Sequence, residues 1–302
     1  MPELPEVQTT SSQLNKVLPG LSVTSVWTDW EKMLRGESFA AFKKEIIGRK
    51  VLRAHRRAKN VLIELDGGKT LLVHMKMTGH LLYGKFKLKK GRWAPDEEGP
   101  LNDPYNRFIH FVFSLSNGKH LAFSDVRKFG KIALLDTALL DTSPHLALLG
   151  PEPLQRNFTL AKFKERLRAR PSGRIKQVLM DQTVIAGIGN IYSDEMLFLA
   201  SIHPEERVSI LRDSDFKTLY NAMRRVLLNG IDFGGDSTSD YRNIYGESGA
   251  FHERHRAYRR TGKPCVIRAC KGTILRKKVG GRSAHYCGIH QKMRKQKDGR
   301  RS

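Results

Sequence analysis

The opening segment PELPEVQTTSSQLNKVL sets Val7, Leu14, Val17 and Leu18 near one face at helical spacing. Pro5 suits a first helical turn and Glu6 the positive end of the helix dipole, so this stretch predicts a helix. Period-two alternation and short apolar runs follow in VLIEL (61–65), TLLVHMKM (70–77), RFIHFVFSL (107–115) and HLAFS (120–124). The turn signals Asp66-Gly67-Gly68 and Asn117-Gly118 separate strands as hairpins require. Residues 84–106, rich in Lys, Gly, Pro and Asp, read as an exposed loop or insertion. From about position 135 the period becomes helical in ALLDTSPHLALL, LAKFKERLRA, GRIKQVLM, NIYSDEMLFLA and DSDFKTLYNAMRRVLLNG.

These patterns predict an α+β protein of two domains. A β-rich domain with its N-terminal helix spans 1–130, and 131–155 forms a linker. A helical domain over 156–255 contains the Gly- and Ser-rich loop 234–243. A cysteine-bearing hairpin over 256–291 and a basic tail over 292–302 complete the chain.

Charge narrows the function. Lys and Arg number 54 against 30 Asp and Glu, a net charge of +24 over 302 residues, which favours a polyanionic partner such as DNA. No run of about 18 apolar residues is present to span a membrane, and the first residues lack a secretory pattern, so a cytoplasmic location is expected. All three cysteines lie between 265 and 287, an odd and clustered count that points to metal ligation over a disulfide framework. With His290 they form C-x4-C-x16-C-x2-H: Cys265, Cys270, Cys287 and His290, a set suited to one structural Zn2+. His285 is a competing fourth ligand.

The opening MPELPEV resembles the start of formamidopyrimidine-DNA glycosylases. RRAKN (56–60), HMKMTG (74–79), DVRKFGK (125–131), LGPEPL (149–154), AGIGNIYSDEMLF (186–198) and the VGGR of the terminal hairpin are similar to that family's other motifs, in the family's order. The resemblance implies an antiparallel β-sandwich behind the N-terminal helix, then a helix-two-turn-helix element and a zinc-finger β-hairpin. It implies a monomeric bifunctional glycosylase/AP lyase of base excision repair acting on damaged double-stranded DNA.

Carried over residue by residue, the resemblance makes Pro2 the nucleophile once Met1 is removed. An α-amine titrates at about 7.7–8.0, nearer neutrality than a lysine, and a secondary amine forms an iminium directly. Glu3 becomes the acid that opens the sugar and Glu6 a proton carrier. Met77, Arg127 and Phe129 become the side chains that fill the duplex once the target base is flipped out. Lys59, Asn190 and Arg282 become phosphate contacts, with Lys59 and Arg282 at the lesion. Thr238, Ser239, Asp240 and Tyr241 become a loop that closes over the base through backbone amides. Leu4 and this loop favour oxidised purines, 8-oxoguanine and formamidopyrimidines, over the pyrimidine lesions of endonuclease VIII-type relatives. The family's usual finger is C-x2-C paired with C-x2-C, and this chain departs from it in the longer first pair and in His290. A noncatalytic DNA-binding protein on the same fold and an RNA-associated zinc protein are the alternatives. The second would leave Pro2, Glu3 and Glu6 without a purpose.

Overall fold

A computed structural model describes residues 1–238 and 240–294, and the chain divides into two compact units. The first comprises Met1–Ala147 and Gly230–His252, the second Leu148–Asn229 with the chain from Glu253 onward.

The first unit opens with α1 (Leu4–Val17). Glu3 and Glu6 form a reciprocal capping box and Pro5 lies in the first turn, so the amides that helical bonding leaves open are met by side chains. The strands β1 (Val23–Thr28), β2 (Leu34–Arg35), β3 (Val51–Arg57), β4 (Asn60–Leu65), β5 (Lys69–His74) and β6 (His80–Gly84) follow, with α2 (Phe39–Ile46) between β2 and β3. Then come β7 (Phe86–Lys89), β8 (Arg92–Pro95), β9 (Ile109–Leu115), β10 (His120–Ser124) and β11 (Lys131–Asp136). They build two main sheets, β1-β9-β10-β6 and β2-β11-β5-β4-β3, which share one core. Alternation explains the packing. Phe111, Phe113 and Phe123 from one sheet meet Val61, Ile63, Val73 and Ile132 from the other, and Val7 and Leu14 of α1 join them.

Four expectations change. Residues 84–106 are no open loop. The hairpin β7–β8 and two short 3-10 turns cover the outer face of the four-stranded sheet, where Leu82, Phe86, Ile109, Val112 and Ala122 form a second small core. Residues 131–136, expected to begin a linker, form a strand whose Ile132 and Ala133 are buried. Loop 234–243, expected in the helical domain, belongs to the first unit. The stretch ALLDTSPHLALL also fails as a helix. Thr142 and Ser143 hydroxyls donate to the carbonyls of Leu139 and Leu140, and Pro144 follows, so the chain turns repeatedly.

His80 opens β6 with no exposure, its Nε2 2.9 Å from Asn106 Oδ1. Burial first, against that hydrogen bond, pulls its pKa from the ordinary 6.5 to about 4. The unfolded chain therefore binds a proton that the folded chain refuses. Stability present above pH 6.5 is lost as the pH falls towards 4, a contribution of order 3 kcal/mol. Urea midpoints at pH 7 and pH 4.5 should converge in His80→Gln relative to the parent; an undiminished acid loss would remove His80 from the account.

The second unit holds α3 (Leu160–Arg168), α4 (Ile175–Met180), α5 (Asn190–Leu199), most of α6 (Asp213–Asp232) and the terminal hairpin β12 (Ile274–Val279) and β13 (Arg282–Cys287). Two consecutive acids of α5 tie the hairpin down. Asp194 bonds Lys176 Nζ at 2.5 Å and both the amide and the ring Nδ1 of His285 at 2.9 Å. Glu195 accepts the amides of Arg256, Ala257 and Tyr258 at 2.8–2.9 Å. All these groups are buried or nearly so, and leaving any buried charge without its partner would cost several kcal/mol. Among the described residues no helix is long and apolar enough to cross a membrane.

Candidate functional site

In the first unit the start of α1 gathers the expected catalytic groups. Pro2 is buried, Glu3 2% exposed and Glu6 1% exposed. Both Glu6 oxygens accept backbone amides at 2.7 Å: Oε2 from Glu3, Oε1 from Asp236. Glu6 thus joins the helix start to the beginning of loop 234–243. Lys59, 6% exposed, lies in the tight β3–β4 turn beside Ala58, whose φ is 53°. Met1 carries the first amine in this chain. Burial depresses that amine below its ordinary value, Glu3 and Glu6 oppose the shift, Lys59 adds to it and Asp240 opposes it. An amine here is drawn towards its neutral form by burial and flanked by carboxyl groups, the setting a nucleophilic amine needs.

Two loops carry Met77, Arg127 and Phe129. Met77 is half-buried, Arg127 exposed, and Phe129 half-exposed with the Arg127 guanidinium 4.5 Å above its ring. Core packing therefore does not account for Phe129, and a ring left in solvent on a held loop suits a wedge between base pairs. What holds the loops is Asp125, which sequence reasoning missed although it begins DVRKFGK. Fully buried, it accepts the Thr78 hydroxyl, the Arg127 amide at 3.3 Å and the Gly130 amide at 2.7 Å. Gly79 and Gly130 both press against Phe123, where an added Cβ would lie 2.4–2.6 Å from the ring, so these positions admit only glycine without rearrangement.

Loop 234–243 is tied at both stems. Asp236 donates to Glu6 and takes the Thr238 amide and hydroxyl on its own Oδ1, at 3.1 and 2.6 Å. The Thr238 amide is thus engaged inside the loop in this structure. Tyr241 is 3% exposed, its hydroxyl donating to the Glu6 carbonyl at 3.0 Å and lying 3.2 Å from Thr10 Oγ1. Burial raises its pKa above the ordinary value. Its side chain is an anchor, leaving only its backbone for the expected role. Ser239 lies outside the described residues, and Asp240 is partly exposed.

In the second unit Asn190 is the first residue of α5, after a turn in which Gln182 receives the Gly187 amide at 2.9 Å and donates to the Ile188 carbonyl at 2.8 Å. Asn190 Oδ1, an acceptor, meets no hydrogen-bond partner among the described residues; a phosphate contact would fall to donors, the side-chain amide nitrogen and the backbone N–H groups of the helix start. A helix start of this kind suits a phosphate. Arg282 is exposed just after the Gly280-Gly281 turn of the hairpin.

At the other end of that hairpin the ligand atoms of Cys265, Cys270, Cys287 and His290 all lie within 4.8 Å of one another. Cys270 Sγ to Cys287 Sγ is 3.7 Å and Cys265 Sγ to His290 Nδ1 is 3.4 Å. A tetrahedral zinc with Zn–S of about 2.3 Å has S···S edges of about 3.8 Å, so the spacing fits. His290 Nε2 faces the Phe198 carbonyl at 3.3 Å, as a ring nitrogen behind a metal-binding one should. The longer first pair does not prevent the cluster from closing. The competing ligand is corrected: His285 is taken up by Asp194 and is not among the clustered groups.

Comparison with known proteins shows what the chain as a whole is similar to. The profile of the formamidopyrimidine-DNA glycosylase N-terminal domain matches residues 1–132, and that of the H2TH domain of the same enzymes matches 149–242. A formamidopyrimidine-DNA glycosylase of Pelotomaculum thermopropionicum is 42% identical over 97% of this chain and 100% of its own length. One from Herpetosiphon aurantiacus is 40% identical over 96% of this chain and 100% of its own. Among solved structures, Lactococcus lactis Fpg in complex with DNA containing an abasic site aligns with a TM-score of 0.84 at 31% identity, covering 96% of this chain and 99% of that one. MutM in complex with DNA containing carbocyclic 8-oxo-G aligns at 0.83 and 31%, covering 96% and 100%.

Proposed function

The chain belongs to the formamidopyrimidine-DNA glycosylase family, and we propose that it excises oxidised purines, 8-oxoguanine and formamidopyrimidines, from duplex DNA and then cuts the strand at the abasic site. It does so as a monomer in the cytoplasm, near the nucleoid of a bacterium. The observation that carries this reading is the burial of Pro2, Glu3 and Glu6 together at the start of α1.

Removal of Met1 frees the Pro2 imino nitrogen. That nitrogen attacks C1′ of the damaged nucleotide while Glu3 protonates the ring oxygen. The bond to the base breaks, the base leaves with a proton, and an iminium links Pro2 to the opened sugar. Loss of a proton from C2′ expels the 3′ phosphate; a second elimination expels the 5′ phosphate, and water releases the sugar fragment. Each Glu6 oxygen holds one backbone amide, which fixes the carboxyl group in place, and each keeps a second lone pair with which Glu6 can carry a proton.

Met77, Arg127 and Phe129 fill the space that the flipped nucleotide leaves, with Arg127 facing the orphaned base. Lys59, Asn190 and Arg282 hold phosphates. Zn2+, held by Cys265, Cys270, Cys287 and His290, is structural: four protein ligands close its shell and keep the hairpin in shape. The test is a matched set of duplexes carrying 8-oxoguanine, a formamidopyrimidine, an oxidised pyrimidine or no lesion. Base release and strand cleavage should be fastest on the first two. Preference for the pyrimidine lesion would instead favour the endonuclease VIII-type reading, and no cleavage of any duplex would leave only a DNA-binding protein.

Arg282→Ala should weaken lesion binding and flatten the dependence of log affinity on log salt by about one, because one phosphate contact is lost. Titration at three salt concentrations measures this; an unchanged slope would take Arg282 off the phosphate backbone.

A further inference from the structure

The insertion over 84–106 takes no part in the chemistry above, yet its second half packs on the stem of loop 234–243, within the same unit. Arg242, directly after the loop's Tyr241, is 6% exposed. Its Nε donates to Asp103 Oδ2 at 3.0 Å, its Nη1 to the Tyr241 carbonyl at 2.9 Å, and its guanidinium lies 4.5 Å over the Tyr105 ring. Asp103 also caps the 3-10 turn Pro104–Arg107, with Oδ1 accepting the Tyr105 amide at 2.9 Å. Farther along, Asn106 Nδ2 reaches the Gly246 carbonyl at 3.4 Å, and a Cβ on Gly246 would strike the Pro100 carbonyl at 2.6 Å. The same Tyr241 carbonyl receives the Ser237 hydroxyl at 2.8 Å, which closes the loop across its neck.

We propose that the insertion braces the lesion loop: Asp103 and Tyr105 hold Arg242, and Arg242 holds the neck of the loop in the shape that receives a flipped purine. Asp103 and Tyr105 are thus positioning residues for base recognition and touch no substrate. The inference rests on the proposed role of the loop. A buried guanidinium that loses its carboxylate must find water or another partner, and either shifts the loop's stem. Small displacements of a recognition element are costly for catalysis. The effect should be selective. Excision of an intact damaged purine needs the loop, whereas cleavage at a preformed abasic site presents no base for it to grip.

Asp103→Asn keeps a side-chain oxygen for the Tyr105 amide and removes the charge that pairs with Arg242; Tyr105→Ala removes the stacked ring and leaves the ion pair. Each should slow 8-oxoguanine excision by about tenfold while cleavage of an abasic duplex by the same preparation stays close to parental. Asp103→Glu should restore part of the loss. Amide exchange over 236–242 should quicken in Asp103→Asn even without DNA. Equal losses on both substrates, or no loss on either, overturn the brace. So does unchanged exchange, and that readout stays decisive even if the parent protein were to leave 8-oxoguanine untouched, a result that would count against the functional reading alone.

Discussion

Pro2→Gly should lose base excision and covalent trapping by about 10³-fold or more, the scale expected when a nucleophile is removed from an otherwise intact site, while affinity for an uncleavable lesion duplex stays near the parent's. The retained affinity follows from separate parts doing separate work. The loops that carry Met77, Arg127 and Phe129, the side chains proposed to fill the duplex, are held by Asp125. A glycine amine at the same place is primary and lacks the ring that fixes the direction of its lone pair, so it reaches C1′ less often and in poorer geometry. Pre-steady-state excision, borohydride trapping and a binding titration on one preparation check the three parts. If excision fell only in proportion to binding, the loss would lie in recognition and not in the nucleophile.

The second large effect concerns the hairpin. Cys287 has no exposure and packs with Phe198, Ala257 and Ile274, with Cys265 and Cys270 against the same cluster. This small core is thin for a module of its length, and a structural zinc in such a setting supplies about 10–16 kcal/mol of apparent binding free energy. Cys287→Ser should therefore abolish bound zinc, release the hairpin that carries Arg282, and reduce lesion-duplex affinity by more than about tenfold. Elemental analysis of the freshly purified parent should find one zinc per chain. His285→Ala should keep that metal, since His285 is bound to Asp194. Full activity in a parent free of zinc would mean that packing alone supports the hairpin. Loss of metal in His285→Ala would return that residue to the ligand set.

Much of the architecture was legible because local signals and tertiary packing agree. Pro5 and Glu6 announce α1, and the capping box is in place. The Asp66-Gly67-Gly68 and Asn117-Gly118 turns join the strands they were expected to join, β4 to β5 and β9 to β10. Position-bearing motifs made the candidate site readable, and no periodicity would have singled out Pro2, Phe129 or Arg282. The misreadings have physical causes. The insertion's lysines, glycines and prolines describe its outer surface, while Phe86 and Leu101, which cover a sheet face, are too few to set a period. The short strand at 131–136 is not legible as a strand in the sequence because its burial depends on β5 and β2 beside it. Nothing in DVRKFGK singles out Asp125; only the folded chain shows it collecting amides from the loop around it. His285 is two residues from Cys287 in sequence, but strand alternation does not decide which of two nearby imidazoles meets a metal and which a carboxylate.

The central claim is that the freed imino nitrogen of Pro2 bonds to the sugar of a damaged nucleotide. The parent protein, trapped with borohydride on a duplex containing 8-oxoguanine, should yield a digest in which the DNA remnant sits on an N-terminal peptide beginning with Pro2, Met1 having been removed. A remnant mapped to any lysine, or an active protein whose chains still begin with Met1, would contradict it.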